Sequence, residues 1–304
     1  MKKFLLSLFF AFCFCAITAN AAKKGDVNGN GTIDVSDVTA LINAILSTGG
    51  DPACDVNGNG TIDVSDVTAL INIILNGEPE QHEYVDLKLD SGTLWATCNV
   101  GASRPEEYGL YFAYGETKGY AKGEKHTFDW AHYKWMTPGR ADEYGVNKYT
   151  LEDGKTDGCW YSGGVYVGTT VDGVTYKDLS NLLPEDDAAT VNWGDEWCMP
   201  DKYQEWELFS EFQTRQEVTS INGVVGMKLI SRRNGKSIFF PYAGFRVDDE
   251  LQEEGECGYY RTTSLLQETL YSEFLCMNLS GSGGTGSWHT RCEGYTIRPV
   301  RKKK

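Results

Sequence analysis

Two short stretches carry apolar residues at helical spacing. Val38, Leu41, Ile42, Ile45 and Leu46 fall at i, i+3, i+4, i+7 and i+8, and Val67, Leu70, Ile71, Ile74 and Leu75 repeat the pattern. Each set predicts a short amphipathic helix. From Tyr84 onward the pattern changes to brief alternating runs. Thr93-Leu94-Trp95-Ala96 and Ser237-Ile238-Phe239-Phe240 read as strands, the second pairing with Val224 to Ile230 across a connector that contains the turn-forming Asn234-Gly235. One further helix starts after Asp201, which caps it. Gln204 completes the capping-box spacing, and Tyr203, Trp206 and Phe209 share a face. Asn76-Gly77-Glu78-Pro79-Glu80 reads as a polar linker broken by Gly and Pro.

The predicted fold class is therefore multidomain: a small all-α unit of two loop-helix repeats, then a loop-rich α+β region. The boundaries are an export signal over 1–21, the repeat unit over 22–76, a linker over 77–83 and the larger region over 84–304.

What precedes each predicted helix is the strongest chemical signal. DVNGNGTIDVSDVTALIN runs from Asp26 to Asn43 and recurs letter for letter from Asp55 to Asn72. Oxygen ligands at alternate positions, with a Gly at the sharp turn, suit a hard cation such as calcium. In the first copy the candidate ligands are Asp26, Asn28, Asn30, the Thr32 carbonyl, Asp34 through water, and Asp37 at the closing position. The second copy offers Asp55, Asn57, Asn59, Thr61, Asp63 and Asp66. Two calcium ions are thus expected. No helix is predicted to enter either loop, because the connector before Asp55 is broken by Gly49, Gly50 and Pro52. That disfavours a paired-helix calcium sensor.

A calcium loop followed by an exiting helix, duplicated over Lys24 to Asn76, resembles a type I dockerin. The resemblance implies a fold built around two calcium ions and a cohesin partner on a scaffold or cell-surface protein. It also implies that Val35, Ser36, Val64 and Ser65, with the helix face beyond them, contact that partner. These positions often carry a hydroxyl pair in the family, whereas this chain has Val-Ser.

The first residues read as a secretory signal: Lys2 and Lys3, an apolar run from Phe4 to Ile17, then Ala19-Asn20-Ala21 at the cleavage site. A secreted, extracellular or cell-surface location follows, with no membrane span in the mature chain. Seven of the nine cysteines remain after the signal, in a compartment where disulfides form, and Cys98, Cys159, Cys198, Cys257, Cys276 and Cys292 lie in the larger region. None shows CxxC spacing, and the four His form no zinc motif. The net charge is −15, six of it from the loop Asp, so nucleic acid is not expected as a partner.

All eight Trp and all seventeen Tyr lie between Tyr84 and Lys304. The series YVDLKLDSGTLWATCNVGASRPEEYGLYFAYGE, NWGDEWCMPDKYQEW, SIFFPYAGFR, GYYRTTS and GYTIRPVRK resembles the Fibrobacter succinogenes major paralogous domain, a group similar to formylglycine-generating enzymes with a C-type-lectin-like fold. Cys198 stands where that family usually has Arg, and Arg261 where Trp commonly follows the Tyr pair. The close thiol pair that copper-dependent formylglycine formation requires is missing, and no GxSxG, HExxH or phosphate-binding Gly loop appears. No catalytic residues are assigned. The expected function is a secreted, calcium-dependent modular binding protein, docked through a cohesin and presenting a lectin-like domain to a glycan or protein ligand. The alternative is a carbohydrate-active enzyme, a glycoside hydrolase acting on polysaccharide within a cellulosome-like complex. A third reading treats the larger domain as a structural surface module.

Overall fold

The computed structural model describes residues 24–47, 51–76, 82–151, 161–162, 165–166, 168–177, 179–265, 272–278, 281–286 and 290–301. The expected export signal (1–21) lies outside the described residues, as do 77–81 of the expected linker. The chain divides into two compact units, Met1–Pro79 and Glu80–Lys304.

In the first unit, helix α1 spans Val35–Leu46 and α2 spans Val64–Asn76. Asp34 caps α1 through Ser36 N–H, and Asp37 returns a bond to the Asp34 backbone, a complete capping box. The two helices pack through Leu41 and Leu70, both fully buried, with Val38, Ile45, Val67 and Ile74 half-buried around them. The second loop is entered from a single 3-10 turn, Pro52–Cys54, capped by Asp51, rather than from an α-helix. Proline at its first position forgoes only an N–H that would have no helical partner.

The second unit is rich in short antiparallel strands. Its first strands, Tyr84–Asp86 and Leu94–Ala96, pair with each other, and the latter also pairs with Val300–Arg301 near the C-terminus. Trp197–Cys198 completes this sheet on the far side of Val300–Arg301. A meander of Thr214–Ile221, Val224–Ser231 and Ser237–Pro241 forms a second sheet, with Ile230 opposite Ser237 as the Asn234-Gly235 connector predicts. The tightest hairpin of that meander turns at Asn222-Gly223, where both residues have positive φ (50° and 86°), the backbone that a two-residue primed turn requires. Cys257–Leu265, Ser272–Asn278 and Gly283–Gly286 make a third sheet.

Among the described residues two α-helices interrupt the strands: α3, Ala188–Trp193, capped by Asp187, and α4, Lys202–Phe209, capped by Asp201 with the predicted Gln204 capping box. The shared aromatic face of α4 is split, with Phe209 packed against the core cluster that holds Leu208. Leu208 and Glu205 are buried, while Tyr203 and Trp206 face water at 64% and 49% exposure.

Much of the second unit is loop, and its buried arginines answer loop and strand carbonyls. Arg298 is fully buried; its Nε donates to Asn99 Oδ1 (2.7 Å) and one terminal nitrogen to Phe239 O (3.0 Å), with the guanidinium 4.5 Å from the Phe240 ring. Burial pulls its pKa down to about 10. Arg291 donates to Tyr149 O (3.0 Å), and Arg246 to Glu124 O and His126 O (3.0 and 2.9 Å). Arg261, at the position where the resembling family carries Trp, is fully buried and lies 3.9 Å from the Tyr295 ring centre. A flat guanidinium against an aromatic face fills the space of a ring and still donates hydrogen bonds.

Cys54, Cys98 and Cys292 stand as free thiols, and burial pushes Cys292 up to about 12. Cys159 and the Cys276 side chain lie outside the described residues. None of these three cysteines is in a disulfide.

Replacing Arg298 with Leu should strand Asn99 Oδ1 and the Ala96 and Phe239 carbonyls in a dry site. The expected loss is about 3 kcal/mol of unfolding free energy in urea. A variant that unfolds at the parent midpoint would show the guanidinium to be dispensable.

Candidate functional site

The two repeated loops fold almost bond for bond alike. In the first, Asp26 accepts the N–H groups of Asn30 (3.0 Å) and Gly31 (2.8 Å), drawing the chain into a tight curve. Gly29 and Gly31 sit at φ +71° and +89°, a left-handed backbone in which a side chain would be strained. Asp37 ties the ends together: Oδ1 accepts Asn28 N–H and Oδ2 accepts Asp34 N–H, both at 3.0 Å. Asn30 Oδ1 receives Thr32 N–H and hydroxyl, and Asn28 Oδ1 receives Asn30 N–H. In the second loop Asp55 holds Asn59 and Gly60, and Asp66 accepts Asn57 N–H (3.0 Å) and Asp63 N–H (2.9 Å). Thr61 donates to Asn59 Oδ1 as Thr32 does to Asn30.

Asp37 and Asp66 are both fully buried, and among the described residues neither is in an ion pair. The segment 24–75 holds seven Asp against one Lys. Backbone N–H groups orient these carboxylates but do not neutralise them, and an uncompensated buried charge is costly. A bound cation would remove that cost, so the residues fit calcium. Among the described residues no three His, Cys, Asp or Glu side chains gather as a metal cluster. The remaining ligands would therefore come from asparagine oxygens and from the Thr32 and Thr61 carbonyls, the mixed oxygen set that calcium takes.

Asp34 and Asp63, at the helix starts, are held below the usual carboxylate range by the following serine, first through its side chain and then through its backbone N–H. Their caps are ionised at neutral pH, which suits the positive end of each helix.

The four residues expected to contact a partner sit at the start of the helices, where Val35 and Val64 are 69% and 74% exposed. Ser36 and Ser65 are exposed too, but each hydroxyl is engaged within its loop, accepting from Asn28 and Asn57 respectively at 2.6 Å. The structure also divides each apolar helical set in two. Leu41 and Leu70 point into the core, whereas Ile42, Leu46, Ile71 and Leu75 are exposed, Leu46 and Leu75 by 78% and 73%. Val35, Ile42 and Leu46, and equally Val64, Ile71 and Leu75, form a second stripe on each helix. Their spacing of seven and then four residues is visible in the sequence, but it merges there with the core pattern.

Residues 24–75 match the family model of the dockerin type I domain. No match was found among curated proteins, nor among solved structures. The family match supports calcium binding and a cohesin partner for this segment, and extracellular placement is typical of dockerin proteins. Among the described residues no helix is long and apolar enough to cross a membrane.

Because folding lowers the Asp34 and Asp63 pKa values, the stability these caps contribute is present above the ordinary pKa of 3.8. It is lost as pH falls through the lower folded value. Carbon-detected NMR of the chelated protein should place both carboxyl midpoints below 3.8. Ser36→Ala should raise the Asp34 midpoint alone, and an unmoved midpoint would contradict the serine as the cause.

Proposed function

We propose that this chain is a secreted, calcium-dependent modular binding protein. Its repeat unit takes two calcium ions, one per loop, through Asp26, Asn28, Asn30, Thr32, Asp34 and Asp37 and their counterparts Asp55, Asn57, Asn59, Thr61, Asp63 and Asp66. It docks to a cohesin on a scaffold or surface protein, and residues 84–304 form a lectin-like module that binds a ligand of their own. The observation that carries the docking reading is the repeated pairing of a buried closing carboxylate with an exposed apolar stripe: Asp37 with Val35 and Leu46, Asp66 with Val64 and Leu75. Exposed aliphatic stripes of this kind on a small unit favour a protein partner. The lectin-like reading of the larger region rests on the sequence resemblance and on its strand-rich, loop-rich build.

Calorimetry on the full chain should report two calcium ions, reduced to one by Asp37→Ala or by Asp66→Ala. Unchanged stoichiometry in both variants would refute the ligand assignment. Because calcium binds the folded unit, the unfolding transition of the repeat unit should move to lower temperature in chelator.

The identical repeats offer two nearly equivalent faces. Val35→Asp with Leu46→Asp should leave cohesin capture within about threefold of the parent, while adding Val64→Asp and Leu75→Asp should abolish it. Complete loss from the first pair, with calcium binding intact, would show that a single face docks.

A further inference from the structure

Resting on the reading of residues 84–304 as a ligand-binding module, we propose that a cavity at the start of α4 binds a neutral saccharide. The cavity measures about 450 Å³, within the roughly 300–1,000 Å³ typical of small-molecule sites. Its polar lining includes Thr93, Asn181, Gln204 and Arg301, which come from distant parts of the sequence. Leu182 and Met199, both buried, supply apolar surface.

These polar groups are fixed before any ligand arrives. Gln204 Oε1 accepts Asp201 N–H at 2.9 Å in the capping box, leaving its amide nitrogen only a long 3.4 Å contact to Thr93 Oγ1. Asn181 Oδ1 accepts the Ser264 hydroxyl at 3.0 Å, and its amide nitrogen has no partner among the described residues. Arg301 is held by Glu196 at 2.8 Å and lies over the Tyr84 ring. Immobilised amides and hydroxyls match vicinal sugar hydroxyls, each both donor and acceptor, and apolar surface suits the C–H face of a pyranose.

The same helix adds aromatic surface. On its water-facing side, Tyr203 and Trp206 stand edge to face with centroids 5.4 Å apart. The Lys202 ammonium lies 5.5 and 5.9 Å from their ring centres, and the rest of these exposed rings offers surface to a longer chain. The region carries 33 acidic against 24 basic side chains, which disfavours an anionic polymer.

Hydrolysis would require two carboxylates available to the sugar. The cavity is lined by Asp187 and Asp201, but each caps a helix. Asp187, almost fully buried, accepts Thr190 and Met199 N–H, and Asp201 accepts Tyr203 and Gln204 N–H, all within 2.8–2.9 Å. The site is built to hold a sugar, not to cleave it.

The test is calorimetric titration of the calcium-loaded full chain with hexasaccharides of β-1,4-linked glucose, xylose and mannose, and with hexagalacturonate. At least one neutral hexasaccharide should bind below millimolar Kd. Asn181→Ala and Trp206→Ala should each weaken it about tenfold or more, while Phe212→Ala, 81% exposed and outside the cavity lining, should not. Trp206→Ala should keep the parent melting temperature, which separates lost binding from lost fold. No neutral binding, tighter binding of hexagalacturonate, or release of reducing ends would overturn the proposal. Binding unmoved by Asn181→Ala would overturn this cavity as the site while sparing the module's binding role. None of these outcomes bears on calcium or cohesin docking.

Discussion

Backbone that leaves water without joining a helix or sheet must find hydrogen-bond partners in side chains, and in both units charged side chains meet that need. In the repeat unit the curved loops present N–H groups, and aspartates accept them: Asp26 and Asp37 in one loop, Asp55 and Asp66 in the other. In the larger unit the loops present carbonyls to which Arg246 and Arg291 donate, and Arg298 donates to a strand carbonyl, Phe239 O. The same requirement leaves opposite charges inside the two units, with different consequences.

A carboxylate that has accepted two N–H groups is still an anion, and with one lysine to seven aspartates residues 24–75 have little cationic side chain to offer. An external cation is the available remedy. The buried guanidiniums are served differently. They are planar and weakly hydrated, and they lie on aromatic faces: Arg298 on Phe240, Arg261 on Tyr295, Arg246 on Phe128. The negative π face offsets part of each charge. Aromatic richness in residues 84–304 is therefore tied to the arginines as much as to apolar packing.

Helix capping links the scaffold to the surfaces left over for recognition. Asp34 and Asp63 are loop residues that also start the helices, so each loop and the stripe behind it are set as one piece. In the larger unit Asp187 and Asp201 are committed to capping α3 and α4 where they line the cavity, and the amide of Gln204 is positioned by the same box. Arg298 and Arg261 lie at motif positions of the resembling family, and both are buried against aromatic rings. Those motifs therefore mark packing and say little about chemistry.

The sequence by itself determined what depends on near neighbours. The calcium loops, their exiting helices, the capping box at Asp201 and the hairpin over Asn234-Gly235 involve contacts a few residues apart, so spacing and residue type sufficed. Helix α3 and the turn at Asn222-Gly223 are just as local, and their Asp187 cap and Asn-Gly pair were legible signals that went unread. What only the tertiary structure decided was which side of an element meets what. The five apolar residues of α1 read as one stripe, yet packing against α2 takes Leu41 and leaves Ile42 and Leu46 in water, because a partner helix covers only part of so wide an arc. Tyr203, Trp206 and Phe209 read as one face, but packing buries Leu208 and Glu205, half-buries Phe209 and leaves Tyr203 and Trp206 exposed. Thr93, Asn181, Gln204 and Arg301 are scattered over more than two hundred positions, and no local signal could join them. Their meeting depends on the pairing of the first strands with Val300–Arg301, a contact of high sequence separation that no short-range pattern encodes.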